Sequence, residues 1–295
     1  MKIYSFATCF KEYDIFDIKY CTEKDFGVDQ IILLEANQTF KGDEKAYNFK
    51  NISQDKEGVL YEQLDVRRKF IPNTFMGKLR LAYKRFLPSF YQKIISSPPW
   101  YNEAFQRSMC GYVPKINYSD DDILIFSDLD EILMPSMKED LVNATYKYGI
   151  ITVKLYFTMF YFNLVSVNWS GPSDYSYRLF MMTGEYFKQH HINYDKLRKN
   201  GENCKLSDEI YCYPKIAGFH HSWLGDKKFI IDKMMAYAHE KEHENGGEVG
   251  SIEKSLHDGI SLFPGHKLEI RNDLPFLPYI LSHKDGKYKK YFLEK

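Results

Sequence analysis

The 295-residue chain has no charge excess: 40 lysines and arginines meet 40 aspartates and glutamates, for a formal net charge of zero. That balance excludes the broad basic surface of a dedicated nucleic-acid binder, although it leaves room for a local basic site. Cysteine is scarce. The five present (Cys9, Cys21, Cys110, Cys204, Cys212) are odd in number and lack metal-site spacing, so they read as reduced, mostly buried thiols. Long apolar runs are missing as well. The opening MKIYSFATCFKEYD turns charged at Lys11, before a signal-peptide core is complete, and no stretch approaches the ~20 apolar residues that span a bilayer. These absences predict a soluble, cytoplasmic protein without a membrane anchor. With no repeat, low-complexity tract or linker either, residues 1–295 are expected to form a single domain.

What the chain does have is apolar mass, 44% hydrophobic and 17% aromatic, enough for a sizeable core. Strand patterns at residues 2–8 and 29–36 flank a helical pattern at 13–25, an order that fits a parallel pair with a right-handed crossover. A further strand is expected at 58–66, a basic helix at 76–87 and a helix starting near Trp100. After the strand at Ile123–Phe126 come a helix around 137–148, one bent strand or two over 149–167, and short strands at 177–182 and 218–223. Residues 227–242 carry Ile230, Met234, Tyr237 and Ala238 on one helical face, and a second short helix is expected near 252–259. This alternation predicts an α/β fold.

The most informative stretch is DDILIFSDLDEILMP, Asp121 to Pro135. Four apolar residues run directly into Asp128, Asp130 and Glu131, carboxylates that repel one another and lose solvation when enclosed. In open α/β sheets ligands bind outside the carboxyl ends of strands. A D-x-D placed there suits a hard divalent cation, Mg²⁺ or Mn²⁺, shared with substrate phosphates. Two other readings remain at this point. One is a solvated turn that caps the next helix. The other is a haloacid-dehalogenase-like phosphohydrolase with Asp128 as nucleophile, against which Glu131-Ile132 stands where that signature has Gly-Thr.

Five segments in order, covering most of the chain, resemble glycosyltransferase family 17, best known for β-1,4-mannosyl-glycoprotein 4-β-N-acetylglucosaminyltransferases. They are IILLEANQTFKG (31–42), PPWYNEAFQR (98–107), ILIFSDLDEI (123–132), YFNLVSVNWSGP (161–172) and AGFHHSWLG (217–225), the last with Phe219 where the family usually has Trp. The resemblance implies a GT-A-like, Rossmann-type nucleotide-sugar transferase fold with a central, mostly parallel sheet. Residues 1–135 would form the nucleotide-sugar half, 136–270 the acceptor side and 271–295 a basic tail. It also implies an inverting, metal-dependent transfer of N-acetylglucosamine or a related hexose from a UDP-sugar to a glycan acceptor. A non-catalytic sugar-nucleotide-binding relative is the remaining alternative.

The implied roles follow the motifs. Asp128, Asp130 and a late histidine, His220, would hold Mn²⁺ or Mg²⁺. Glu35, Asn37 and Thr39 after the second strand, with Arg107, Asp128 and Trp223, would bind the nucleotide-sugar. Glu131, Asp174, Asp208 and Glu209 are the candidate bases for the acceptor hydroxyl. The cluster Arg67-Arg68-Lys69 is either a diphosphate contact or a solvated basic face.

Overall fold

Period-two alternation in the first strands sorts their side chains onto two covered faces. In β1 (Ile3–Thr8), Ile3 and Ala7 face one apolar layer while Tyr4 and Phe6 face the other. In β2 (Gln30–Ala36), Ile31 and Leu33 part from Ile32 and Leu34 in the same way. The computed structural model describes residues 1–40, 42–65, 98–167, 177–236, 249–261 and 266–294. Its further strands are β3 (Val59–Leu64), β4 (Ile123–Asp128), β5 (Glu131–Leu133), β6 (Ile150–Met159), β7 (Leu164–Ser166), β8 (Phe180–Thr183), β9 (Tyr211–Ser222) and β10 (Leu268–Ile270). The helices used below are α1 (Tyr13–Phe26), α2 (Lys50–Gln54), α3 (Pro98–Ser108), α4 (Lys138–Tyr148), α5 (Gly184–His190), α6 (Tyr194–Glu202), α7 (Lys227–Ala236), α8 (Val249–Asp258) and α9 (Pro278–Ser282).

The sheet runs β10-β7-β6-β8-β4-β1-β2-β3, with β9 beside β6 and β5 beside β9. Strands β3, β2, β1 and β4 are mutually parallel, and β6 and β9 are parallel to each other. Because β8 is antiparallel to both β4 and β6, those two run the same way. The carboxyl ends of β1, β2, β4, β6 and β9 therefore share one edge. This is the expected α/β architecture, with parallel pairing joining more residues than antiparallel pairing.

Helices α1 and α4 cover one face of the sheet, and α3, α5 and α6 cover the other. Helix α1 stops at Gly27, whose φ of 87° lets its N–H return to the carbonyls of Glu23 and Lys24. No helix of the described residues is long and apolar enough to cross a membrane.

One open expectation is settled and others change. The stretch 149–167 is two strands, broken where Phe160 takes a φ of 66°. The short strand expected at 218–223 is the end of the 12-residue β9. The expected basic tail is part of the core: Leu277, Ile280 and Tyr288 are fully buried, and the Tyr291 hydroxyl donates to Asp14 of α1 at 2.6 Å. Amphipathic lysines mask that apolar face in the sequence. The basic cluster 67–69, the helix expected at 76–87 and the turn holding Trp169 and Asp174 lie outside the described residues, as does the helix of 227–242 beyond Ala236.

Candidate active site

β4 ends at Asp128, and three residues later the chain enters β5, which pairs antiparallel with Gly218–His220 of β9. An open acidic loop is thereby replaced by a pinned one. The Asp130 carbonyl accepts from the His221 N–H at 2.8 Å, and the Met134 N–H donates to the Ala217 carbonyl at 2.8 Å. A Cβ at Gly218 would sit 2.2 Å from the Ile132 carbonyl oxygen, so only glycine admits this approach. From beneath, the fully buried Lys19 of α1 donates to Ser127 Oγ (2.9 Å) and to the Glu131 carbonyl (2.8 Å). Its charge is met by Glu23 one helical turn on, at 2.8 Å.

Asp128 faces the α3–α6 layer. Arg107 grips it with Nε (3.2 Å) and Nη2 (2.7 Å), and Arg198 Nη2 lies 2.9 Å from the same Oδ2. Burial would raise this carboxyl, but Arg107 and then Arg198 outweigh it and hold it well below the usual carboxylate range. Arg107 is held in turn by Glu103 at 2.8 Å, and Arg198 by Glu131 at 2.7 Å. Glu131 is 0% exposed. One of its oxygens accepts from Arg198 and the other from the Asp128 N–H at 2.9 Å.

Three of the expected residues are bound into one network: Asp128 accepts from Arg107 and Arg198, Glu131 accepts from Arg198 with one oxygen and from the Asp128 N–H with the other, and Arg107 rests between Asp128 and Glu103.

Asp130 points the other way. Its Oδ1 lies 3.5 Å from His220 Nε2, and its Oδ2 lies 3.3 Å from Lys233 Nζ of α7, which also reaches Glu12 at 3.1 Å. Against burial, Lys233 and His220 hold this carboxyl well below its ordinary range. Arg178, just before β8, lies 3.3 Å from His220 Nδ1 through Nη1, and its Nε lies 3.5 Å from Glu202. With Arg178 donating to Nδ1, the ring proton sits on Nε2 and faces Asp130.

Asp130 and His220 meet because β5 and β9 are paired, and with Glu131 they form a buried set whose ligand atoms lie within 4.8 Å of one another. A carboxylate oxygen and an imidazole nitrogen suit Mn²⁺ or Mg²⁺. The fit requires the other His220 tautomer and release of Arg178, and Glu131 joins only by leaving Arg198.

The remaining expected residues disperse. Asp208 and Glu209 precede β9 at the opposite end of the sheet, beyond Tyr211, which the six steps from Ile151 to Phe157 on β6 put roughly 20 Å from His220 at ~3.3 Å per strand residue. There they line a cavity of about 430 Å³ with Tyr177 and Tyr211. They cannot serve chemistry at the D-x-D. Trp223 is 4% exposed, packed with Phe157, Phe160 and Ile230, so it offers no face to a sugar.

Glu35 stands next to last in β2 and Thr39 just after it, both as loop supports. Glu35 accepts from Lys45, from the N–H groups of Asn48 and Phe49, and from the Tyr61 hydroxyl. Thr39 Oγ1 accepts from the Asp43 N–H, and Asn37 donates to Asp65 at 2.9 Å. Near them are polar atoms that the sequence did not single out. Gln38 Oε1, Asn102 Oδ1 and Gln106 Nε2 are buried and find no hydrogen-bond partner among the described residues, while Asn102 Nδ2 ties α3 to the Phe40 carbonyl at 2.8 Å.

Lys19, Arg178, Arg198 and Lys233 were also missed. Only Lys19 leaves a trace in the sequence, a charge on the otherwise apolar face of α1.

A sequence model of glycosyltransferase family 17 matches residues 2–263. No curated protein matches the chain. Among solved structures, S. aureus TarS (residues 1–349) has a TM-score of 0.39 at 8% identity, covering 89% of this chain and 71% of that one. The same protein in complex with UDP-GlcNAc scores 0.39 at 8% identity, with 89% and 72% covered. The galactosyltransferase LgtC, in complex with donor and acceptor sugar analogues, has a TM-score of 0.33 at 11% identity, with 72% and 73% covered.

Proposed function

Because the chain belongs to glycosyltransferase family 17, and is thus a glycosyltransferase, we propose that it moves N-acetylglucosamine or a related hexose from a UDP-sugar to a glycan acceptor, inverting the anomeric carbon and using Mn²⁺ or Mg²⁺. The observation that carries the metal-dependent form is the contact of Asp130 with His220, which the pairing of β5 with β9 brings together at the edge where the parallel strands end. A divalent cation at such a seat supplies positive charge for the departing nucleoside diphosphate without needing a proton. Asp130 and His220 would hold it, His220 through Nε2.

The other residues prepare that seat. Arg107 and Arg198 fix Asp128, so the two aspartates diverge and only Asp130 faces the cation. Lys19 fixes the backbone between them. The nucleoside belongs over the ends of β1 and β2, where Gln38, Asn102 and Gln106 present unpaired donors and acceptors to a base or ribose.

The phosphohydrolase reading would need a free Asp128 oxygen for attack on phosphorus, and both are bound by guanidinium groups. A panel of UDP-sugars, assayed for UDP release with Mn²⁺ and with chelator, tests the proposal. Release should depend on the metal and be abolished in Asp130→Ala. Release that survives both chelation and that substitution contradicts it.

A further inference from the structure

Lys233 is the one cation that touches Asp130 from α7, and its surroundings are built to keep an ammonium there. Its Nζ lies 3.3 Å from Asp130 Oδ2 and 3.1 Å from Glu12 Oε1, and all three side chains are about nine-tenths buried. The rings of Trp223 and Phe229 wall it at 5.8 Å each, within cation–π range. Glu12 is itself anchored, its Oε2 accepting from the N–H groups of Phe10 and Lys11 at 3.0 Å each.

We propose that Lys233 holds the cation seat in the metal-free protein, and that a divalent cation enters by displacing its ammonium from Asp130 onto Glu12. The inference rests on the reading of Asp130 and His220 as the metal seat. Three features argue for it. Asp130 Oδ2 cannot serve a lysine at 3.3 Å and a divalent ion at ordinary coordination distance together, because two positive charges that close repel strongly in a buried site. The lysine has a second, fixed carboxylate, so leaving Asp130 does not strand it in an apolar pocket. The Asp130 main chain is pinned by His221, so the exchange moves the ammonium and not the loop. Lys233 thereby keeps the site charge-paired and folded before metal arrives, and it sets how tightly metal binds.

The test is Mn²⁺ binding by calorimetry on the metal-free full chain, with no turnover involved. Lys233→Met removes the competitor and is expected to tighten Mn²⁺ by about tenfold. Lys11→Met is the control for charge alone, since it removes the same charge nearby, from a pair with Asp232 at 2.8 Å, without touching Asp130. It should leave the Kd within about twofold. An unchanged or weaker Kd in Lys233→Met, or equal tightening in Lys11→Met, overturns the proposal. Asp130→Asn separates the two layers: wild-type binding in that variant defeats the metal seat itself, whereas lost binding there with no effect of Lys233→Met defeats only the displacement. If Lys233→Met does not fold without metal, Lys233→Arg replaces it. Retained weak binding supports a resident cation, and tighter binding contradicts it.

Discussion

Arg198 shows what a single residue does at this site. A guanidinium 2% exposed is stable only where carboxylates surround it, and Arg198 meets Asp128, Glu131 and Glu202 at 2.9, 2.7 and 3.2 Å. Arg198→Met leaves the fully buried Glu131 without its ion pair, so a loss of roughly 3–5 kcal/mol is expected in urea unfolding. A loss below about 1 kcal/mol would mean that the network is incidental.

His221 gives a pH signature. Burial first, and then the neighbouring His220, push its pKa down to about 3 from an ordinary 6.5. Between those values the unfolded chain binds a proton that the folded one refuses, so stability falls as pH drops from 6.5 towards 3, by about 1.4 kcal/mol per unit at most. His221→Asn should flatten that part of the acid limb in urea midpoints measured against pH, and an unchanged limb would show that His221 is not buried neutral.

At this scale the sequence was legible where chemistry is contiguous, as in Ser127–Glu131. It was silent where partners are distant: Arg198 stands 67 positions from Glu131, and no spacing rule links them.

At the scale of elements, the site depends on β5 lying against β9. Three residues are too few to show a period, so Glu131–Leu133 read as loop, and only pairing with β9 makes it a strand. The same pairing brings His220 to Asp130. Gly218→Val places carbon where the Ile132 carbonyl oxygen sits. It is expected to push β5 away, destabilise the fold by about 2 kcal/mol or more, and weaken Mn²⁺ binding together with it. Normal Mn²⁺ affinity in a folded Gly218→Val protein would uncouple the strand pair from the seat. The longer elements were legible in advance. β2 and β4 show as unbroken apolar runs and β1 and α1 as strand and helix patterns, and their order pointed to the parallel half of the sheet. Asp208 and Glu209, expected as candidate bases, lie far from His220 because the sequence does not reveal that β9 begins at Tyr211, nine residues before it.

For the whole molecule, the C-terminal residues are structural. Past the family match, which ends at 263, Leu274, Phe276, Leu277, Ile280 and Tyr291 join the core that packs beneath α1. Each buried apolar side chain contributes about 1.5–3 kcal/mol, so deleting residues 271–295 should lower the thermal midpoint by on the order of 10 °C or prevent cooperative unfolding. An unshifted midpoint would make this segment dispensable.

The balanced charge of the chain conceals a strong internal order, in which carboxylates and cations alternate from Glu103 through Asp128 and Arg198 to Asp130 and Lys233. On the proposed reading, that order divides the two aspartates of one motif between two tasks. Crystals grown with Mn²⁺ and UDP, with data collected near the manganese absorption edge, test this division most directly. The anomalous peak is expected on Asp130 and His220, with Asp128 still bound by Arg107 and Arg198. A peak coordinated by Asp128, or no peak at this edge of the sheet, would contradict it.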